Sequence, residues 1–220
     1  VVAFGDSITQ HGHWSEALAL RLYDAAPDRV TLVNRGICGN RVLHDASIRS
    51  KFGGYFGEGA LERFEEDAFA SVGGRADCVL LEEGVNDIIQ PFDHTCAPYE
   101  KVTAEDVVAG YRKMAKIAHA HGAKAFVATV MPFRGFNDVW NESSERMRAQ
   151  INRQLAEDSI FDAVLDFASV ICDRGAPERI ANAFNCGDNL HPNAEGGRVL
   201  AGSIDLPTIL NRSGKGGPYA

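Results

Sequence analysis

Nothing in this 220-residue chain is apolar for long enough to cross a bilayer as a helix, which excludes an ordinary membrane-spanning segment. Basic clusters are missing as well. With 22 Lys and Arg against 30 Asp and Glu, the formal net charge is −8. The basic footprint that a phosphate backbone requires is therefore absent, and nucleic acid is not expected as a partner. There is no Cys-x-x-Cys pair of the kind that builds structural zinc sites, and His11-Gly12-His13 and His119-Ala120-His121 make poor metal pairs. The second of these closes a helical stretch, where the dipole welcomes histidine. No repeat, low-complexity tract or linker divides the chain, so it fits one domain with a full core. An initial Met is also lacking; the chain opens inside the apolar run Val1-Val2-Ala3-Phe4, and the expectation is an upstream leader or start outside this sequence. Cysteines number five, an odd total that leaves at least one thiol outside any bridge within the chain. Cys78 falls in a buried strand pattern. Cys172 and Cys186 bracket a loop, where a disulfide is one expectation and two thiols the other.

What is present is an alternation of short apolar runs with amphipathic stretches, the pattern of a parallel sheet covered on both faces. Candidate strands cover 1–4, 30–34, 77–82, 124–130 and 163–167. A helix is expected over 13–26, where Trp14, Leu18 and Leu22 share a face and Pro27 follows, and another over 60–69, where Leu61, Phe64 and Ala68 align. A third starts at Thr103 with Asp106 as its capping acid, carries Val107, Tyr111, Met114 and Ala118, and stops at Gly122. Met147, Ile151 and Leu155 mark a fourth. The last begins near 191–193 and carries Val199, Leu200 and Ile204. Right-handed crossovers then give an α/β fold of three layers, α/β/α, with a flavodoxin-like five-stranded parallel sheet of order 2-1-3-4-5. The tail from 207 to 220 is rich in helix breakers toward its end and reads as a loose terminus.

Four short segments follow strand-like runs or precede the last helix. They are Gly5-Asp6-Ser7-Ile8-Thr9, Asn34-Arg35-Gly36-Ile37-Cys38-Gly39-Asn40, Gly84-Val85-Asn86-Asp87 and Asp188-Asn189-Leu190-His191-Pro192. A serine hydroxyl needs a base within hydrogen-bond reach, and the base needs a group that fixes its tautomer. Asp188 precedes His191 by three residues, so one turn can lay the carboxylate on Nδ1 and leave Nε2 free. Each segment alone has a plainer use: a turn after a strand, a turn glycine at Gly39, a helix cap at Asn86, a histidine at a helix start. The Gly-x-Ser-x-Gly elbow of α/β-hydrolases is absent, Thr9 standing where its second Gly would be. In this order the four segments resemble the blocks of the SGNH (GDSL) hydrolases, in particular bacterial secreted-type GDSL esterases and lipases. The resemblance runs from Val1 to about Leu206, which sets the expected domain at 1–206 and the tail at 207–220.

The resemblance implies a serine esterase acting on short-chain carboxylic esters, with acetyl esters of carbohydrates among its substrates, needing neither metal nor organic cofactor. It assigns Ser7 as nucleophile, His191 as general base and Asp188 as its orienting acid. The oxyanion donors it implies are the backbone N–H groups of Ser7 and Gly39 and the side-chain amide of Asn86. Asp6 and Asp87 fit as groups that hold their loops. Phe133 or Phe136, after the fourth strand, are candidates for the wall of an acyl site, and 52–57 for a glycine-rich, aromatic flank. An extracellular or periplasmic location follows from the same resemblance. Lipase, thioesterase or acyltransferase chemistry would use the same residues, and a non-catalytic protein binding a small ligand in the same crevice is the alternative from another class.

Overall fold

The computed structural model describes residues 1–73, 75–92 and 95–211. Strand β1 (Val2–Gly5) leads through the single-turn helix α1 (Ser7–Gln10) into α2 (His13–Ala25), and β2 (Val33–Gly36) follows. A long loop containing a 3-10 turn (Gly53–Phe56) precedes α3 (Ala60–Ala68), β3 (Cys78–Glu82), the short helix α4 (Val85–Ile89) and α5 (Ala104–Ala120). Then come β4 (Lys124–Ala128), α6 (Glu142–Glu157), β5 (Ala163–Leu165) and α7 (Phe167–Ile171). A two-stranded hairpin of β6 (Cys172–Asp173) and β7 (Ala176–Ile180) leads to α8 (Ala194–Ser203) and α9 (Leu206–Leu210). The five main strands are parallel in the order β2-β1-β3-β4-β5, as the alternation implied.

The central strands β1 and β3 are buried along their whole length, which is why they read as unbroken apolar runs. Trp14, Leu18 and Leu22 bring α2 onto the sheet, and Val107, Tyr111, Met114 and Ala118 do so for α5, all of them buried. Thr103 caps α5 in a reciprocal box with Asp106. No helix among the described residues is long and apolar enough to cross a membrane.

Several boundaries differ from the sequence expectation, each for a local reason. Strand β2 begins at Val33 rather than at 30, because it lies at the sheet edge and its ladder starts where the Val33 N–H donates to the Val1 carbonyl. Strand β4 ends at Ala128. Beyond it, Asn152 accepts from the Val130 N–H, while Asn152 and Arg148 donate to the Val130 carbonyl, so side chains of α6 replace the ladder. Strand β5 stops because the Asp166 carboxylate accepts from Ser169 N–H and opens α7. On α3 the face turned inward is Ala60, Arg63, Phe64 and Ala68, whereas Leu61 is half-buried. Cys172 and Cys186 form no disulfide: the Cys172 thiol donates to the Ser169 carbonyl, and Cys186 sits beside Asp188. Residues 206–210 form α9, with Ile209 buried and the Lys124 ammonium donating to the Thr208 and Asn211 carbonyls. The remainder of the expected tail, 212–220, lies outside the described residues.

Candidate active site

Parallel strands deliver their carboxyl ends to one edge of the sheet, and three adjacent ones supply the functional loops here. Ser7 follows β1 as the first residue of α1, where backbone N–H groups have no intrahelical acceptor. That turn exists because the Asp6 carboxylate accepts from the Ile8 N–H at 2.9 Å. Gly39 lies in the loop after β2, in a turn closed by the Asn40 N–H donating to the Ile37 carbonyl. Its φ of +72° suits the third position of such a turn, and a Cβ there would stand 2.0 Å from the Phe56 ring. Among the described residues no hydrogen-bond acceptor engages the Gly39 N–H. Asn86 lies inside α4 rather than at its cap, and its amide donates to Asp6 at 3.1 Å.

The fourth segment arrives from the far end of the chain. Asp188 accepts from the backbone N–H groups of Leu190 and His191, both at 2.9 Å, and this tight turn fixes the ring that follows. His191 Nδ1 lies 2.5 Å from the Asp188 carboxylate and Nε2 lies 2.8 Å from the Ser7 hydroxyl. A carboxylate partner holds the proton on Nδ1, so Nε2 is the acceptor for the serine proton. Partial burial pushes the Asp188 carboxyl up, but the hydrogen bonds from the His191 ring and from the two backbone N–H groups outweigh it and bring its pKa to about 2. It is thus a fixed anion beside the imidazole. The segment is held in place by the packing of α8 on α2, where Gly197 lets the helices touch: a Cβ on Gly197 would stand 2.4 Å from the His13 carbonyl carbon.

Ser7, Gly39, Asn86 and His191 all border one cavity of about 490 Å³, with Phe56 and Phe136 among its walls. Of the two phenylalanines singled out after β4, Phe136 faces this cavity and Phe133 is wholly buried in the core. The rim is formed by the loop containing the 3-10 turn, where Phe52 and Tyr55 are exposed. Asn40 ties that turn down by donating to the carbonyls of Phe56 and Glu58 at 2.8 and 2.7 Å.

Beneath the serine lies a cluster of acids. Asp6, Glu82, Glu83 and Asp87 are all buried, and the Arg63 guanidinium lies 3.4 Å from Glu83. Arg63 also donates to the Gly5 and Arg35 carbonyls and to Asn40, and lies over the Phe4 ring. Burial, helped by the charge of Asp87, raises Asp6 to about 7 against the hydrogen bond from Ile8; burial likewise raises Asp87 to about 6. Burial, then the charge of Asp6, pushes Glu82 and Glu83 well up. Asp87 holds its loop, as expected, by accepting from the Val42 N–H at 2.8 Å.

Two residues of this neighbourhood carried no sequence signal. His11 packs against His191, ring centroids 4.5 Å apart, and burial followed by the charge of His191 lowers its pKa. Arg63 sits on the apolar face of α3, where periodicity asks for a hydrophobic residue. Of the histidine pairs near helix ends, His119 meets Asp162 and His121 meets Glu65. Among the described residues, the group of metal-ligating type with donor atoms within 4.8 Å of one another is Cys186, Asp188 and His191, which contains the Asp/His pair itself.

Comparison with known proteins bears on the fold and on the family. An acetyl xylan esterase structure is 23% identical, with 96% of this chain and 98% of that one covered and a TM-score of 0.66. An acetylxylan esterase of Geobacillus stearothermophilus is 20% identical over 94% and 92% of the two chains, also at 0.66. A GDSL-like lipase of Bacteroides thetaiotaomicron VPI-5482 is 19% identical over 94% and 86%, at 0.63. At these identities the likeness is one of fold. No curated protein matches the sequence. The model of the GDSL-like lipase/acylhydrolase family matches residues 3–199, nearly the whole described domain with all four segments inside it, and the chain belongs to that family.

Proposed function

We propose that this carboxylic ester hydrolase of the GDSL type works as a serine esterase on short-chain esters, through an acyl-enzyme on Ser7, with acetyl esters of carbohydrates as its substrates. The observation that carries the reading is the unbroken line from Asp188 through His191 to the Ser7 hydroxyl, 2.5 and 2.8 Å, opening on a cavity. In the first half-reaction His191 Nε2 takes the Ser7 proton as Oγ bonds to the ester carbonyl carbon. The negative oxygen of the tetrahedral intermediate meets the Ser7 and Gly39 N–H groups and the Asn86 amide, each such donor worth roughly 10²–10³ in rate. As the carbonyl re-forms, the alcohol leaves with the proton from Nε2. Water then repeats the sequence on the acyl-enzyme, with His191 again as base, and releases the acid.

The lining of the cavity that Ser7 borders favours a carbohydrate ester. The exposed rings of Phe52 and Tyr55 at the rim offer flat apolar faces of the kind that sugar rings stack on. Two structural neighbours named for acetylxylan point the same way.

Covalent labelling with a fluorophosphonate, followed by peptide mapping, tests the nucleophile; modification is expected at Ser7 and nowhere else. Nitrophenyl acetate, butyrate, laurate and palmitate test the acyl site, and the two short esters are expected to turn over fastest. Best activity on laurate or palmitate would replace the esterase reading by a lipase one. Absence of labelling together with absence of turnover would favour a binding protein using the same crevice.

A further inference from the structure

We infer that Gln10 and Gln90 are positioning residues of the oxyanion site, each fastening the Gly39 loop to a helix that carries another of the donors. The inference rests on the reading of Gly39 as an oxyanion donor. That donor is the weak point of such a site, because it lies in a loop turn with an empty side-chain position, whereas Ser7 and Asn86 sit on helical turns. A displacement of the order of 1 Å in such a group is enough to lose about a hundredfold in rate.

The two bonds bracket the peptide unit that contains the Gly39 N–H. On one side, the Cys38 N–H donates to Gln10 Oε1 at 2.8 Å. On the other, Gln90 Nε2 donates to the Gly39 carbonyl at 2.7 Å. Both peptide units flanking the donor are thereby anchored, and the turn bond from Asn40 to Ile37 closes the loop between them. Gln10 is the last residue of α1, whose first residue is Ser7. Gln90 follows Ile89 at the end of α4, one turn beyond Asn86 on the same side of that helix. Each donor-bearing helix thus reaches the glycine loop with a glutamine placed about one turn after the donor. Asp6, which accepts from both the Ile8 N–H and the Asn86 amide, closes the frame between the two helices.

Gln90 carries a second mark of this role. It is 2% exposed, and its Oε1 is buried with no hydrogen-bond partner among the described residues. Buried acceptors are nearly always paired, and exceptions concentrate where another requirement dominates. Here the amide has only one usable orientation, since the reverse would set its oxygen against the Gly39 carbonyl. The requirement that dominates is the bond to Gly39.

The two glutamines play opposite chemical parts, acceptor at 10 and donor at 90, and that gives the test. Glutamate retains the acceptor but, when ionised, has no proton to donate. Gln90→Met is expected to lower kcat on nitrophenyl acetate by roughly 10- to 100-fold, with KM within about threefold and phosphonylation of Ser7 slowed by a similar factor. Gln10→Met is expected to lower kcat in the same way, and Gln10→Glu to recover most of that loss. Gln10 is exposed, so its variants fold even if those at the buried Gln90 do not. Full kcat in Gln90→Met, or equal losses in Gln10→Met and Gln10→Glu, overturns the inference while the wild-type protein still labels at Ser7. Failure of the wild type to label and to hydrolyse the ester removes the underlying reading instead.

Discussion

At the scale of single residues, the site is a set of groups whose worth depends on one another. On the proposed mechanism Ser7 and His191 pass one proton between them, so Ser7→Ala and His191→Ala should each lower ester turnover by roughly 10³-fold or more, and the double variant should lose little beyond either. Steady-state kinetics on the three proteins decide this; losses that multiply would separate the two residues into different steps. Asn86 acts at another moment. On the proposed mechanism its amide faces a charge that exists only in the intermediate, so Asn86→Ala should reduce kcat by on the order of 10²-fold and leave KM nearly unchanged. A variant of full turnover and reduced melting temperature would make Asn86 a structural partner of Asp6 and nothing more. The four site segments were legible in the sequence because each is short, local and punctuated by Gly, Asn or Pro. Arg63 was not, since its place on a buried helix face depends on Gly5, Arg35, Asn40 and Glu83, groups that only the folded chain gathers. The choice between Phe133 and Phe136 was invisible for the same reason: both follow one strand, and only packing turns one inward.

At the scale of elements, the strands and long helices announced themselves through periodicity, while α1 and α4 did not. They span four and five residues, too few for a hydrophobic period to register, and they exist because of caps and tertiary contacts. These same two helices sit on the acid cluster, and that has a consequence for stability. Asp6 and Asp87, raised to about 7 and about 6, keep protons in the folded state that an unfolded chain surrenders near ~4. Proton binding therefore favours the folded state between those limits, and stability from these groups is present at the acid end and lost as pH rises toward 7. Asp188 works in the opposite sense and in a separate window: lowered to about 2, it contributes above ~4 and loses that contribution as pH falls toward 2. Urea midpoints measured across pH are expected to be highest near 4 to 5 and to decline toward 7, with a shallower decline in Asp87→Asn. Equal slopes in the two proteins would mean that Asp87 does not hold its proton. Arg63 and Arg41, whose charges oppose the rise in the carboxyl pKa values, limit this decline.

At the scale of the whole molecule, the sheet brings three of the four segments together by topology alone, but the fourth depends on α8 lying against α2. That contact rests on Gly197, whose missing Cβ admits the His13 backbone. Gly197→Ala should gain helix propensity by up to about 1 kcal/mol, yet the added carbon meets backbone that cannot rotate away. The clash should win, with a net loss of about 1–3 kcal/mol and a fall in kcat as His191 draws back from Ser7. Denaturation and turnover measured on the same variant check both halves, and a more stable, fully active protein would show that α8 shifts without disturbing the site. The hydroxyl and the imidazole are separated by 184 positions in the chain, and this fixes an order in time. On the proposed mechanism a growing polypeptide carries its serine early and its base late, so a partial chain that ends before residue 188 has no Asp188–His191 pair to activate Ser7. On that mechanism turnover waits for α8 to dock, and the first turnover of a refolding molecule reports that docking rather than the formation of the sheet.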